Sequence, residues 1–144
     1  IIARTDSRTG LGLDEAIRRG QAFAKAGADV VFVESPESIE EMRTIAQSID
    51  APLFANIVNG GRTPLLSADI LKEMGYAIAI HPAIGFLSAG AALRKAYADL
   101  HAHGETSPDI DLYSFAEFNK LLGFQDVWDF EKRFAQTPCA TLER

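Results

Sequence analysis

Four short apolar runs constrain this chain more than any other feature: "IIART" from Ile1, "VVFVE" from Val30, "LFANI" from Leu53 and "AIAIH" from Ala77. Each is rich in β-branched residues and bounded by turn formers, which is how buried parallel strands read. Their first residues stand 29, 23 and 24 positions apart, and a helical pattern fills each gap. Strand and helix in alternation predict an α/β fold with a parallel sheet, because each helix must carry the chain back to the same end of the sheet.

The first predicted helix, about Leu13 to Ala26, places Leu13, Ile17, Gly20, Phe23 and Ala24 on one face, and Gly27 follows as a stop. The second, about Glu37 to Ile49, turns Ile39, Met42, Ile45, Ala46 and Ile49 inward, with Ser38 and Glu41 spaced as a capping box. The third runs from the cap Ser67 to Gly75 and the fourth from about Ser88 to His103, before Gly104. Beyond Gly104 no strand returns. "ETSPDIDLYS" reads as a loop, Ser114 with Glu117 opens a helix to about Leu122, and Asp126 is expected to cap another through Phe134. These last helices carry Phe115, Phe118, Phe124, Trp128, Phe130 and Phe134, too much aromatic surface to leave in water, so a neighbouring subunit is the expected cover. The organisation is thus residues 1–104 as the strand and helix repeats, 105–134 as a helical extension, and 135–144 as a tail without periodicity.

Polar residues close the apolar runs: Arg4, Glu34, Asn56 and His81. In parallel α/β folds the carboxyl ends of the strands surround the ligand, so these four groups would converge. Burying one charge there without partners costs several kcal/mol, which a shared site explains more economically than four separate accidents. The planar fork of Arg4 suits a carboxylate or phosphonate. Each residue also has a plain structural alternative. Arg4 and Glu34 can pair as a rim salt bridge, Asn56 can satisfy a turn, and His81, before Pro82, can be a packed histidine. Gly60 and Gly61 allow close backbone approach to a ligand or simply a tight loop. Ser7, Arg8, Thr9 and Gly10 read as a mobile loop after the first strand.

A net charge of −6 and a pI near 5.0, with no cluster of lysines and arginines, argue against a nucleic-acid backbone or an anionic membrane as partner. A small molecule is the expected ligand. One cysteine, Cys139, forms no internal disulfide, and the sequence shows no leader and no apolar stretch of membrane-spanning length, so a cytoplasmic setting is expected. It contains no phosphate-cradling P-loop, no GxSxG elbow and no Cys/His cluster with zinc spacing.

Taken together, "IIARTD", "AGADVVFVES", "PLFANIVNGGRTPLLS" and "FAEFNKLLGFQDVWDFEKRF", from Ile1 to about Phe134, resemble the second half of the isocitrate lyase/phosphoenolpyruvate mutase superfamily. The likeness is to the branch holding oxaloacetate decarboxylases, 2-methylisocitrate lyase and petal death protein-like members, with "NGGRTP" and "FAEFNKLL" favouring its oxaloacetate and alkylmalate side. The resemblance implies strands 5–8 of a (β/α)8 TIM-type barrel in residues 1–104, C-terminal helices swapped between subunits of a homo-oligomer, and a Mg2+ or Mn2+ ion. It implies metal-assisted cleavage of a C–C bond in a small 2-oxo or 2-hydroxy dicarboxylate. Arg4 would grip the substrate carboxylate, Glu34 and Asn56 would line the pocket, and His81 would touch substrate. Leu87 stands near a point where some lyase members carry an arginine, which counts against a tricarboxylate. The family's metal-binding aspartates and its Lys-Cys-Gly-His type loop have no counterpart in this sequence, and Cys139 is no substitute. "IIARTD" is therefore expected to be the fifth strand of a barrel whose first half lies outside this sequence, so that this chain alone is expected to be inactive. Two other readings remain at this stage: phosphonopyruvate/phosphoenolpyruvate chemistry at the same arginine, and a non-enzymatic half-barrel module that binds a partner.

Overall fold

The computed structural model describes residues 1–135. Strands β1 (Ile2–Thr5), β2 (Val30–Val33), β3 (Leu53–Asn56) and β4 (Tyr76–Ile80) form one parallel sheet in the order β1-β2-β3-β4. Helices α1 (Ser7–Leu11), α2 (Leu13–Lys25), α3 (Ile39–Ser48), α4 (Ala68–Met74) and α5 (Ile84–His103) follow or connect the strands, and α6 (Phe115–Leu121) and α7 (Phe124–Phe134) come last. The chain divides into two compact units, Ile1–Leu93 and Arg94–Arg144.

The core of the first unit lies between the sheet and α2, α3 and α4. Val31, Val33, Leu53 and Ala55 point from the strands to this side and meet Ala16, Met42, Ile45, Ile49 and Leu71 from the helices. Strand alternation then sends Phe32, Phe54 and Ile78 to the opposite face. The start of α3 is set by Ser38, whose hydroxyl accepts the Glu41 amide at 3.1 Å. The capping box is not reciprocal there, because the Glu41 carboxylate accepts from the Glu37 amide and from Arg8 instead. In α6 it is complete: Ser114 and Glu117 each accept the other's backbone N–H.

Four expectations change. Residues Ser7 to Gly10 are not a loop but most of α1: Ser7 is buried against the Thr5 hydroxyl, and Arg8 is clamped by Glu37 at 2.8 Å and Glu41 at 2.5 Å. The helix expected from Ser88 begins at Ile84, just after Pro82, with Gly85 and Gly90 inside it, glycines that disguise a helical start. The last helix starts at Phe124 after Gly123, and Asp126 sits inside its first turn, where its charge favours the helix N-terminus without capping it. Finally, the strands are not uniformly buried. Ile2 on β1 and Ile78 and Ile80 on β4, the two edge strands, are exposed. The tail, including Cys139, lies outside the described residues.

Candidate functional site

The inward alternation of each strand decides which polar side chains meet. Arg4, Phe32, Phe54 and Ile78 are register partners across β1 to β4, forming one row on the face away from the helices. One step further toward the carboxyl end stand Glu34, just past β2, and Asn56, paired with Ile80. Arg4 lies over the Phe32 ring at 4.8 Å from the centroid, and Phe32 packs on Phe54 with centroids 4.6 Å apart. An aromatic floor thus supports the guanidinium from below, a favourable cation–π arrangement.

Three of the four strand-end residues come together. The Asn56 Nδ2 donates to Glu34 Oε1 at 3.3 Å, and Arg4 Nη2 stands 3.6 Å from Glu34 Oε2. That bond also orients the amide, since turning it over would set Oδ1 against a carboxylate with no proton between them. Ser35, in the left-handed region at φ 58°, donates its hydroxyl to Glu34 Oε1 at 3.3 Å. Non-glycine residues in this conformation store strain of order 1 kcal/mol and collect at functional sites. Two acceptors, Glu34 Oε2 and Asn56 Oδ1, are buried and accept no hydrogen bond from the described residues. Such atoms cost about 1 to 3 kcal/mol until a donor arrives.

The guanidinium itself is engaged elsewhere. Arg4 Nε donates to Asp6 Oδ2 at 3.0 Å and Oδ1 at 3.3 Å, and Nη2 donates to Oδ1 at 2.7 Å. The bond to Asp6 is the main reason the Arg4 pKa is raised, with Glu34 adding to it against some desolvation, and the same bond holds Asp6 below the usual carboxylate range.

His81 does not join this group. Between Leu53 and Phe54 the β3–β4 register shifts, so that Leu53 pairs with Tyr76 but Phe54 pairs with Ile78, skipping Ala77. The extra residue turns Ile78 and Ile80 to the face of Phe54 and Asn56; His81 follows the end of β4, is exposed, and makes no hydrogen bond or ion pair with Arg4, Glu34 or Asn56. Gly60 and Gly61 form a tight turn: Gly60 has φ 79° and the Gly61 N–H closes on the Val58 carbonyl at 2.9 Å. A Cβ at Gly61 would stand 3.0 Å from that carbonyl oxygen, so the turn itself requires the glycine. Asp6 and Phe32 escaped sequence reasoning. Asp6 sits beyond the strand in what reads as a loop, and Phe32 reads as ordinary strand filling, although the period-two spacing from Arg4 to Asp6 was visible.

Known proteins resemble this chain over nearly its whole length. The 2,3-dimethylmalate lyase of Eubacterium barkeri is 42% identical over 136 residues, covering 94% of this chain and 47% of the relative. The petal death protein of Dianthus caryophyllus is 35% identical over 143 residues, covering 98% of this chain and 45% of the relative. Among solved structures, oxaloacetate acetylhydrolase in complex with the inhibitor 3,3-difluorooxalacetate superposes with a TM-score of 0.85 at 30% identity, covering 96% of this chain and 46% of that one. The chain spans about half the length of the curated relatives it matches. Residues 1–101 match the family model described as phosphoenolpyruvate phosphomutase. With four parallel strands, intervening helices and this match over most of its length, the chain belongs to the phosphoenolpyruvate phosphomutase family.

Proposed function

We propose that this chain supplies the carboxylate-holding wall of an enzyme that cleaves a carbon–carbon bond in a small 2-oxo or 2-hydroxy dicarboxylate of the oxaloacetate or alkylmalate type. One observation carries the reading: a half-exposed guanidinium beside two buried oxygens that lack donors, all at neighbouring strand ends. The guanidinium fork matches a carboxylate with two parallel hydrogen bonds. The two orphan acceptors call for an O–H, which a hydroxy acid or a water beside the substrate brings. Relatives named for dimethylmalate and oxaloacetate support the same substrate class.

In this proposal Arg4 fixes the orientation of the substrate carboxylate and Phe32 fixes the plane of Arg4. Glu34 Oε2 and Asn56 Oδ1 accept hydrogen bonds from the ligand or its water and transfer no proton. Gly60 and Gly61 shape the turn after β3, and His81 lies outside the wall. The site is one negative charge in excess, since Arg4 faces both Asp6 and Glu34, so a dianion needs positive charge from elsewhere. Mg2+ or Mn2+ would supply it. Among the described residues no group of three or more His, Cys, Asp or Glu stands together, so these residues do not fit the ion as its holder, and no step is derived through it. The groups that hold it and move protons belong, in this reading, to polypeptide pairing with the open edges of β1 and β4. The exposed aromatic faces of α6 and α7 pack on a second copy, which sedimentation velocity checks by returning a dimer or tetramer. No helix among the described residues is long and apolar enough to cross a membrane.

The test is turnover of oxaloacetate, alkylmalates and phosphonopyruvate by the full-length protein with added Mg2+, compared with its Arg4→Ala variant. Cleavage of one of the first two, with kcat/KM reduced at least about a hundredfold in the variant, is the expected result, as for loss of a charged substrate contact of about 3 kcal/mol. Unchanged kcat/KM would remove Arg4 from the site.

A further inference from the structure

We propose that Asp6 is an internal competitor for the ligand's carboxylate: its own carboxylate occupies the fork of Arg4, and a ligand binds by displacing it. The inference rests on the reading of Arg4 as a carboxylate holder. It adds a residue that sets how strong and what shape of anion the site accepts.

The hydrogen bonds show the occupancy. Arg4 donates three bonds to Asp6, at 2.7, 3.0 and 3.3 Å, through Nε and Nη2, the edge of the guanidinium that grips a carboxylate side-on. Glu34 Oε2, only 3.6 Å from the same Nη2, accepts none of them. Asp6 therefore stands where a ligand's carboxylate would, with the same chemistry and nearly the same geometry.

Among the described residues Asp6 has no second partner that would hold it in place. It occupies the position before α1, where an aspartate ordinarily accepts a hydrogen bond from the first helical turn. Its side chain makes no such bond, and at φ −104°, ψ 10° the residue lacks the extended conformation of a capping residue. The Ser7 amide donates to the Thr5 hydroxyl instead. An aspartate holding the helix end would be costly to move; among the described residues this one holds only the arginine.

Exposure makes the displacement cheap. Among the described residues the side chains of Arg4 and Asp6 are 48% and 64% exposed, so neither is packed in place, and an incoming anion can replace Asp6 at the fork without breaking a buried contact. Ion pairs of this kind are weak, whereas Glu34 is mostly buried and remains in place when Asp6 leaves. The consequence is selectivity. An anion that cannot present two coplanar oxygens loses to the resident carboxylate, whereas a planar carboxylate matches it and adds its remaining contacts.

The experiment uses the full-length protein, oxalate as the probe in calorimetry with Mg2+ present, and oxaloacetate turnover alongside. Asp6→Asn and Asp6→Ala are each expected to lower the oxalate Kd about twofold to fivefold, the factor that an exposed ion pair represents. KM for oxaloacetate falls by the same factor while kcat does not rise, a split that a purely structural role would not produce. In an Arg4→Lys background, where the fork is gone, the Asp6→Asn effect shrinks toward onefold. Unchanged or weaker oxalate binding in both Asp6 variants overturns the inference, the weaker case meaning that Asp6 holds Arg4 in position. Retention of oxalate binding by Arg4→Ala would instead overturn the carboxylate-holding site itself, so the two failures are distinguishable.

Discussion

Replacing Gly20 by alanine sets two opposed effects of similar size against each other. Gly20 lies on the face of α2 that packs on β1 and β2, the strands that carry Arg4 and lead into Glu34. In the helix interior alanine is favoured over glycine by about 1 kcal/mol. Here, however, a new Cβ would collide with Ile49 Cδ1 and stand 3.3 Å from Ile49 Cγ1 and 3.4 Å from Val31 Cγ1. Ile49 is 4% exposed and Val31 is fully buried, so neither side chain can swing into solvent to make room. Overpacking of this kind costs about 1 to 3 kcal/mol, which leaves Gly20→Ala destabilising by up to about 2 kcal/mol. Ile49→Val deletes the colliding carbon and by itself costs about 0.5 to 1.5 kcal/mol. In the double variant the collision is gone and the helix gain remains, so it should be at least as stable as Ile49→Val alone. The two substitutions should therefore couple favourably by about 1 to 3 kcal/mol. Urea unfolding of the four proteins, with midpoints compared at constant slope, measures this. A Gly20→Ala protein more stable than its parent, or additive effects in the double variant, would refute the packing argument.

Asn56→Leu should separate stability from binding. It removes the orphan Oδ1, worth about 1 to 3 kcal/mol of relief, and forfeits one long hydrogen bond to Glu34 worth about 1 kcal/mol, so stability should stay within about 2 kcal/mol of the parent. Oxalate affinity in calorimetry should nevertheless fall about tenfold or more, the loss of one good hydrogen bond to ligand; a large loss of stability with affinity intact would make Asn56 a structural residue. Ser114→Ala tests the capping box of α6. Hydrogen bonds from the Ser114 hydroxyl at 2.7 Å and amide at 3.1 Å hold the Glu117 carboxyl below its usual range. A carboxyl depressed in the folded state stabilises it above the ordinary carboxylate pKa, and that contribution disappears as pH falls through the depressed value. The variant should shift the Glu117 titration upward in NMR and weaken the protection of the α6 amides at neutral pH; an unmoved titration would show that the box does not form in solution.

What the sequence discloses about this site depends on which contacts are local along the chain. Arg4, Glu34 and Asn56 were legible because a polar group ending an apolar strand is conspicuous in its own segment, and parallel strands of similar length bring such ends to one side. The caps Ser38, Ser67 and Ser114 were legible for the same reason: each bond spans three residues. His81 carries the same signature and yet makes no hydrogen bond or ion pair with them; one residue, Ala77, is skipped in the pairing of β3 with β4, which changes the face each later residue of β4 presents. Register between strands leaves no mark in either strand's own pattern, and a single-residue slip reverses every side chain beyond it. Asp6 fails in the opposite sense. It is local to Arg4, but an aspartate just past a strand reads as part of a loop, and only the folded structure shows its carboxylate in the fork of Arg4. Helix α1 shows the third kind of failure: its short segment, with Gly10 inside and Gly12 after, has little helical propensity. What holds it is Arg8 bound to Glu37 and Glu41, partners about thirty residues away. The same contacts tie the segments that follow β1 and β2 together. The local structure beside the candidate site therefore includes an ion-pair network that no single segment encodes.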